Sequence, residues 1–131
     1  MELFQFRHSA FCEKVHLLLA AKGLNYSVKD VTPGVGQIEL FQLTGQRQVP
    51  VLRDGEQLIA DSSAIAMHLE AKHPEPSMLP SDAAERAQVL LLEDWADTAL
   101  ASSARMALLQ GAAEDPVLRS ALLPDATPAL L

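Results

Sequence analysis

Cysteine is nearly absent from the sequence, since Cys12 is the only one among 131 residues. A single cysteine excludes a disulfide within the chain and a zinc site built from several cysteines. The sequence also lacks an apolar run close to the roughly 20 residues that a membrane-spanning helix needs. Neither a basic leader nor an apolar signal segment precedes the first strand pattern, which begins at Glu2. We therefore expect a soluble, cytoplasmic protein.

Basic residues are also few. The chain has 10 lysines and arginines against 17 aspartates and glutamates, which gives a net charge of -7. Nucleic acids and anionic membranes are bound through basic patches, and none is visible here. The composition therefore argues against a nucleic-acid or membrane partner. No metal site is predicted, because His16, His68 and His73 lack ligand spacing and Cys12 stands alone.

Hydrophobic residues make up 49% of the chain, which is enough for a core in one domain with an appendage. Apolar residues alternate over residues 2–6 and predict a strand. An apolar stripe at helical spacing predicts a helix over residues 11–22, ended by Gly23. Residues 26–31 predict a second strand, and the two strands should be parallel because a helix separates them.

Residues 32–36 are predicted to form a loop, and further helix and strand patterns follow it. Apolar residues between 38 and 43 indicate a short helix, and an Asp-Gly turn between residues 51–53 and 57–60 predicts a hairpin. A second clear helix begins at Asp61. The order is βαβ followed by ββα, which predicts an α/β, thioredoxin-like fold with a four-stranded mixed sheet.

Three prolines in the segment from His73 to Pro80 inclusive predict a linker, because proline is not tolerated inside a helix. We place the first domain at residues 1–76, and a linker with a short all-α extension at residues 77–131. Ser81 is predicted to cap a long helix that Gly111 ends. The prolines after this point leave room for only a short further helix.

Two segments of the first domain have the features of a binding site. Pro50 stands where a strand begins, and a cis Val49-Pro50 bond would turn the backbone of Val49 outward to pair with an extended peptide. At the start of the next helix, the first amides and the Ser62 hydroxyl suit a carboxylate, and Asp61 suits an ammonium. Together they predict a short, peptide-like ligand.

The joint spacing of these segments resembles the glutathione-site signature of glutathione S-transferases. The residues that carry it are Gln48-Val49-Pro50-Val51-Leu52, Asp54-Gly55 and Asp61-Ser62-Ser63-Ala64-Ile65. The resemblance covers residues 1–76 well and continues less specifically into 82–110. It implies glutathione as co-substrate, a small electrophile as second substrate, and a homodimer. Because Gln48 replaces a basic residue that the family often has, the glycine carboxylate of glutathione would meet Gln48 or Arg47.

The same resemblance implies a role for the start of the first helix, where unsatisfied amides stabilise an anion. Ser9 aligns with the serine of theta- and zeta-like transferases, and with the reactive cysteine of omega-like transferases and glutaredoxins. Cys12 aligns with the second cysteine of the glutaredoxin pair. A serine at this position would donate a hydrogen bond to the glutathione thiolate and lower the pKa of the thiol.

Each candidate residue also has a purely structural interpretation. Ser9 and the pair Asp61-Ser62 suit helix N-caps, and Cys12 suits a small packed residue. The main functional hypothesis is glutathione conjugation. The alternatives are a thiol reductase that uses Cys12 and a noncatalytic interaction module with the same fold.

The helical extension differs from the family pattern in length. The resemblance implies a longer helical domain that builds most of the electrophile pocket, so we expect this part to be incomplete. Exposed apolar residues such as Leu91 and Trp95 then predict either a partner chain or a shortened form of a longer helical domain.

Overall fold

The computed structural model describes residues 1–32 and 34–122. In chain order the elements are β1 (Glu2–Gln5), α1 (Ala10–Ala21), β2 (Ser27–Asp30), α2 (Val35–Thr44), β3 (Val51–Asp54), β4 (Gln57–Ala60), α3 (Ser62–Lys72), α4 (Ala83–Trp95), α5 (Ala101–Glu114) and α6 (Pro116–Leu122). A π-helical segment, Ala96–Leu100, joins α4 to α5. The chain forms two compact units, the first running from Met1 to Met78 and the second beginning at Leu79.

The first unit contains a four-stranded sheet in the order β2-β1-β3-β4. β1 and β2 are parallel because α1 crosses between them, whereas β3 runs antiparallel to both β1 and β4. Gly55 has φ 61° in the hairpin between β3 and β4, as a tight Asp-Gly turn requires. These features confirm the predicted thioredoxin-like fold, with its mixed sheet and βαβ-ββα order.

Apolar side chains cover both faces of this sheet. Successive residues of a strand point to opposite faces, so Leu3 and Phe4 are both buried but in different clusters. The Leu3 cluster packs beneath α1 and α3, and its buried members are Leu3, Val15, Leu19, Leu52, Ile65 and Leu69. The Phe4 cluster packs beneath α2 and consists of Phe4, Val31, Leu40 and Val51. The sheet is therefore sandwiched between helices, which fixes the positions of its strand ends.

A buried ion pair attaches the segment after α3 to α1. The side chain of Lys22 is 0% exposed, and its ammonium lies 2.7 Å from a carboxylate oxygen of Glu70. It also donates hydrogen bonds to the carbonyl oxygens of His73 and Pro76 at 2.7 and 2.9 Å. Glu70 in turn accepts from the Ser77 hydroxyl at 2.6 Å and from the Met78 amide. Three acceptors match the three donors of a lysine ammonium, so this buried charge is fully satisfied.

Three local expectations are corrected by the structure. α2 begins at Val35, inside the loop predicted over residues 32–36, and Pro33 of that loop lies outside the described residues. Asp82, not Ser81, caps α4, because its carboxylate accepts from the amides of Ala84 and Glu85 at 3.0 Å each.

The third correction concerns Gly111, which lies inside α5 and does not end it. A Cβ atom at Gly111 would lie 3.3 Å from a methyl carbon of Leu118 in α6. The glycine therefore permits close approach of α6. The helix continues to Glu114, and Asp115 then caps the short α6 by accepting from the amide of Val117 at 2.8 Å. The rest of the predicted extension, from residue 123 onward, lies outside the described residues. Within the described ranges, no helix is long and apolar enough to cross a membrane.

Candidate functional site

Three predicted site segments meet at one edge of the sheet because of the strand register. Phe4 of β1 pairs with Val51 of β3, and Val51 pairs with Ala60 of β4. β1 and β4 leave the sheet at this edge, whereas β3 enters it there. The loop that carries Ser9, the backbone of Val49, and Asp61 therefore lie next to this shared line of residues.

Val49 lies two residues before the first residue of β3, and its backbone amide and carbonyl are available for pairing. The Val49-Pro50 peptide bond is cis, and Pro50 is buried directly before the first residue of β3. Among the backbone hydrogen bonds of the described residues, none uses the amide or the carbonyl of Val49. An extended peptide can pair with such a residue as an additional strand does.

Asp61 is the N-cap of α3 and the only described non-glycine residue with positive φ, at 80°. Its Oδ1 accepts from the amides of Ser63 and Ala64 at 2.9 and 3.0 Å. Two donors of the helix end are therefore already used, which the sequence alone did not show. Because both bonds use Oδ1, Oδ2 of this exposed carboxylate remains able to accept from an ammonium. Positive φ at a non-glycine residue is uncommon and is often found at functional sites.

Ser62 follows Asp61 and is only 2% exposed. Its hydroxyl oxygen lies 3.2 Å from the ammonium of Lys14, which also lies 3.0 Å from the Ser63 hydroxyl oxygen. The first turn of α3 is thus in contact with a cation from α1. Lys14 was not predicted as a site residue, and no local pattern indicates this contact, because 48 residues separate Lys14 from Ser62.

Ser9 is the N-cap of α1. Its hydroxyl oxygen accepts from the Cys12 amide at 3.3 Å, and its own amide donates to the Phe6 carbonyl at 3.1 Å. The structural interpretation of Ser9 as a cap is therefore present in the geometry. A capping oxygen uses its lone pair, so the hydroxyl hydrogen can still be donated elsewhere.

Cys12 lies in the first turn of α1 and is 1% exposed. Burial raises the pKa of its thiol, and hydrogen bonds with Ser9 and the Phe6 backbone offset this only in part. A reactive cysteine needs a stabilised thiolate and access to its substrate. The position thus weighs against Cys12 as a catalytic nucleophile and against the reductase hypothesis that depended on it.

Arg47 and Gln48 are both exposed in the loop before Val49. The Arg47 guanidinium lies 5.2 Å from the centre of the Phe41 ring, and its carbonyl accepts from the Gln37 side chain at 3.1 Å. Arg47 is therefore held against α2 by a cation–π contact. Gln48 lies one residue nearer to the free edge of Val49.

A separate concave region lies between β2 and α2. A hollow of about 80 Å³ between β2 and α2 is lined by Phe4, Lys29, Asp30 and Leu40 among others, and it accommodates only a few water molecules. Among residues 1–32 and 34–122, no group of three or more histidines, cysteines and carboxylates could hold a metal ion.

Comparison with known proteins points to the same part of the chain. A family model described as "Glutathione S-transferase, N-terminal domain" matches residues 3–77. Glutathione S-transferase 1 of Dianthus caryophyllus is 40% identical over 90 residues, which cover 66% of this chain and 41% of that protein. The chain thus spans about two fifths of the length of this curated relative.

Solved structures show the same fold. A maleyl pyruvate isomerase, described as a bacterial glutathione S-transferase of the zeta class, superposes with a TM-score of 0.67 at 33% identity, covering 70% of this chain and 45% of that one. A glutathione transferase homologue from Burkholderia with bound glutathione gives a TM-score of 0.68 at 30% identity, covering 86% of this chain and 66% of that one.

Proposed function

The chain belongs to the glutathione S-transferase family, and from this we propose that it binds glutathione in the cytoplasm and transfers it to small electrophiles. The observation that carries the proposal is the meeting of Ser9, Val49 and Asp61 at one edge of the sheet. A solved relative with bound glutathione supports the choice of ligand.

The chemical groups of glutathione match the donors and acceptors at this edge. The cysteinyl residue would pair with the free backbone of Val49 as an added strand. The ammonium of the γ-glutamyl group would meet Oδ2 of Asp61, and its carboxylate would accept from the Ser62 hydroxyl. The glycine carboxylate would meet Arg47 or Gln48 at the exposed side. This set of contacts would direct the thiol toward the start of α1.

Ser9 would then act on sulfur without attacking anything itself. Its hydroxyl donates a hydrogen bond to the thiolate, which favours the charged form and lowers the pKa of the glutathione thiol. The thiol proton leaves to solvent. The thiolate electron pair forms a bond to the electrophilic carbon, and the leaving group departs with the electrons of the broken bond. A charged thiolate accepts a hydrogen bond more strongly than a neutral thiol does. The Ser9 hydroxyl would therefore donate to the glutathione thiolate in preference to the thiol of Cys12.

We also propose that the chain forms a homodimer through its second unit. Leu91, Leu92 and Trp95 of α4 are 70, 63 and 55% exposed. Adjacent apolar side chains of this size are typical of a surface that binds another protein. A two-fold dimer would bury the same patch of both copies.

Calorimetric titration with glutathione, followed by a conjugation assay with a small chlorinated aromatic electrophile, tests the proposal. Glutathione should bind at one site per chain, and cysteinylglycine should bind much more weakly because it lacks the γ-glutamyl group. If glutathione gives no binding heat and the chain gives no turnover, the proposed function is wrong. Binding without turnover would support the noncatalytic interaction module instead.

A further inference from the structure

His16 joins three elements of the first unit through a chain of hydrogen bonds. Its Nε2 contacts the side-chain oxygen of Gln5 at the end of β1, and its Nδ1 lies 2.6 Å from the hydroxyl oxygen of Tyr26, just before β2. The side-chain nitrogen of Gln5 donates in turn to a carboxylate oxygen of Asp30 at 2.8 Å. One half-buried imidazole thus attaches α1 to β1 and to the residue that precedes β2.

The hydrogen positions in this chain follow from the groups involved. A carboxylate only accepts, so Asp30 faces the amide nitrogen of Gln5, and the amide oxygen of Gln5 faces His16. That oxygen also only accepts, so Nε2 of His16 carries a hydrogen, and Nδ1 of the neutral ring accepts from the Tyr26 hydroxyl. The contact with Gln5 therefore needs a donor at the Nε2 position.

Ser9 lies between the two residues that this contact joins. Residues 6–9 alone connect β1 to α1. The Ser9 amide donates to the carbonyl of Phe6, the neighbour of Gln5, at 3.1 Å, and the Ser9 carbonyl accepts from the amide of Glu13 inside α1 at 3.0 Å. The position of Ser9 is therefore set by where the start of α1 lies relative to the end of β1.

His16 lies on the same side of α1 as Ser9. The two residues are seven positions apart, which is close to two full turns of a helix and about 10 Å along its axis. The packing of Val15 and Leu19 in the Leu3 cluster is apolar and has no preferred direction, whereas a hydrogen bond is directional. The His16–Gln5 bond thus adds a directional restraint on how α1 lies against β1, on the side that carries Ser9.

We infer that His16 is a positioning residue for the proposed reaction, because it holds the Ser9 hydroxyl where that hydroxyl can donate to the glutathione thiolate. The inference rests on the proposed function, since it concerns the same hydroxyl and the same sulfur. Glutathione binding itself would not depend on His16, because the proposed contacts with the peptide and the γ-glutamyl group lie outside α1. A loss at His16 should therefore change kcat and the pKa of the bound thiol, and not the affinity.

Two amide variants separate the two nitrogens of the imidazole. His16→Gln can place its amide nitrogen near the Nε2 position and keep the donor to Gln5, whereas the shorter side chain of His16→Asn reaches only the Nδ1 position. Gln5→Met removes the acceptor from the other side, and Tyr26→Phe removes only the bond to Nδ1. The measurements are the pKa of the bound glutathione thiol from the ultraviolet absorbance of the thiolate, kcat, and affinity by calorimetry, below the melting temperature of each variant.

His16→Asn and Gln5→Met should raise the pKa of the bound thiol towards that of free glutathione and lower kcat about tenfold or more, since small displacements of a reacting group are costly. His16→Gln and Tyr26→Phe should stay close to the wild type, and affinity should be unchanged throughout. A wild-type thiol pKa in His16→Asn or Gln5→Met, or an equal loss in His16→Gln, would overturn the inference alone. If the wild-type chain binds no glutathione, or if Ser9→Gly leaves the thiol pKa unchanged, the proposed function is overturned as well.

Discussion

The Ser9 hydroxyl oxygen accepts a hydrogen bond from the Cys12 amide at 3.3 Å. The residue that caps α1 is therefore also the residue that we propose to stabilise the glutathione thiolate. The two roles use different parts of one hydroxyl, because capping uses a lone pair and activation uses the hydrogen. A substitution at this position must therefore be chosen so that it separates the two roles.

Ser9→Gly should abolish most conjugation activity while it costs only a few tenths of a kcal/mol in stability, since glycine is a tolerated N-cap. Ser9→Ala should lose the same activity and about 1 kcal/mol of stability in addition. The measurements are kcat/KM and the free energy of unfolding in urea.

Cys12→Ala is the matched comparison, because it removes the buried sulfur beside the same cap. It should keep its activity. Full activity in Ser9→Gly together with inactive Cys12→Ala, or a mixed disulfide of glutathione on Cys12 in intact mass spectra, would favour the reductase hypothesis.

Asp61→Asn should weaken glutathione binding by about tenfold or more, because the amide cannot pair with an ammonium as a carboxylate does. Thermal stability should stay near that of the wild type, since asparagine caps helices as well as aspartate and tolerates positive φ. Calorimetry and a melting curve separate the two effects. Unchanged affinity would show that Asp61 is only a helix cap.

The Lys22–Glu70 pair should lose its contribution to stability only when the pH falls well below the ordinary pKa of a glutamate. Burial alone would raise the pKa of Glu70, but hydrogen bonds from Lys22, Ser77 and Met78 lower it from 4.5 to about 2. A carboxyl with a depressed folded pKa contributes stability above its unfolded pKa and loses it as the pH falls through the folded pKa. The stability difference between the wild type and Glu70→Gln should thus be constant above pH 4.5 and decrease towards pH 2.

At neutral pH, Glu70→Gln should cost about 2–3 kcal/mol, because it leaves the buried ammonium of Lys22 without its counter-ion. Glu39→Gln is the control. The Lys29–Glu39 pair is exposed, with side chains 42 and 59% accessible, so its loss should cost little. Urea unfolding at a series of pH values checks both variants, and a Glu70→Gln effect that does not change with pH would contradict the assignment.

Association should depend on the apolar surface of α4. The wild-type chain should behave as a dimer in multi-angle light scattering, whereas Trp95→Glu or Leu91→Glu should shift it towards monomer, since each places a charge within the proposed interface. Val117→Glu is a useful control because Val117 is 78% exposed on α6. A monomeric wild type would contradict the dimer and leave the exposed residues of α4 unexplained.

The fold was predictable because its signals are local. The alternation in β1, the apolar stripe of α1 and the Asp-Gly turn each act over a few neighbouring residues, and together they fix the order of elements. The start of α2 was missed because its apolar residues follow no clear helical period. Gly111 was misjudged because its role depends on Leu118 across a helix junction.

The candidate site was only partly accessible from sequence. The positions of Val49 and Asp61 followed from a proline and a cap signal. By contrast, Lys14 contacts Ser62 across 48 residues, and this contact leaves no local pattern in the sequence. That Asp61 uses two amides of α3 also required the geometry, since the same residue suits a cap and a ligand contact equally well.

The contacts of Lys22 determine where the first unit ends along the chain. Exposed segments between helices are preferred sites of proteolytic cleavage, yet here the carbonyls of His73 and Pro76 and the amide of Met78 are bonded to Lys22 and Glu70. We therefore expect the amide hydrogens of the non-proline residues in 73–78 to exchange together with those of α1 and α3, and not as those of a free connector. Covalently this segment is a linker, but thermodynamically it is the last part of the first unit.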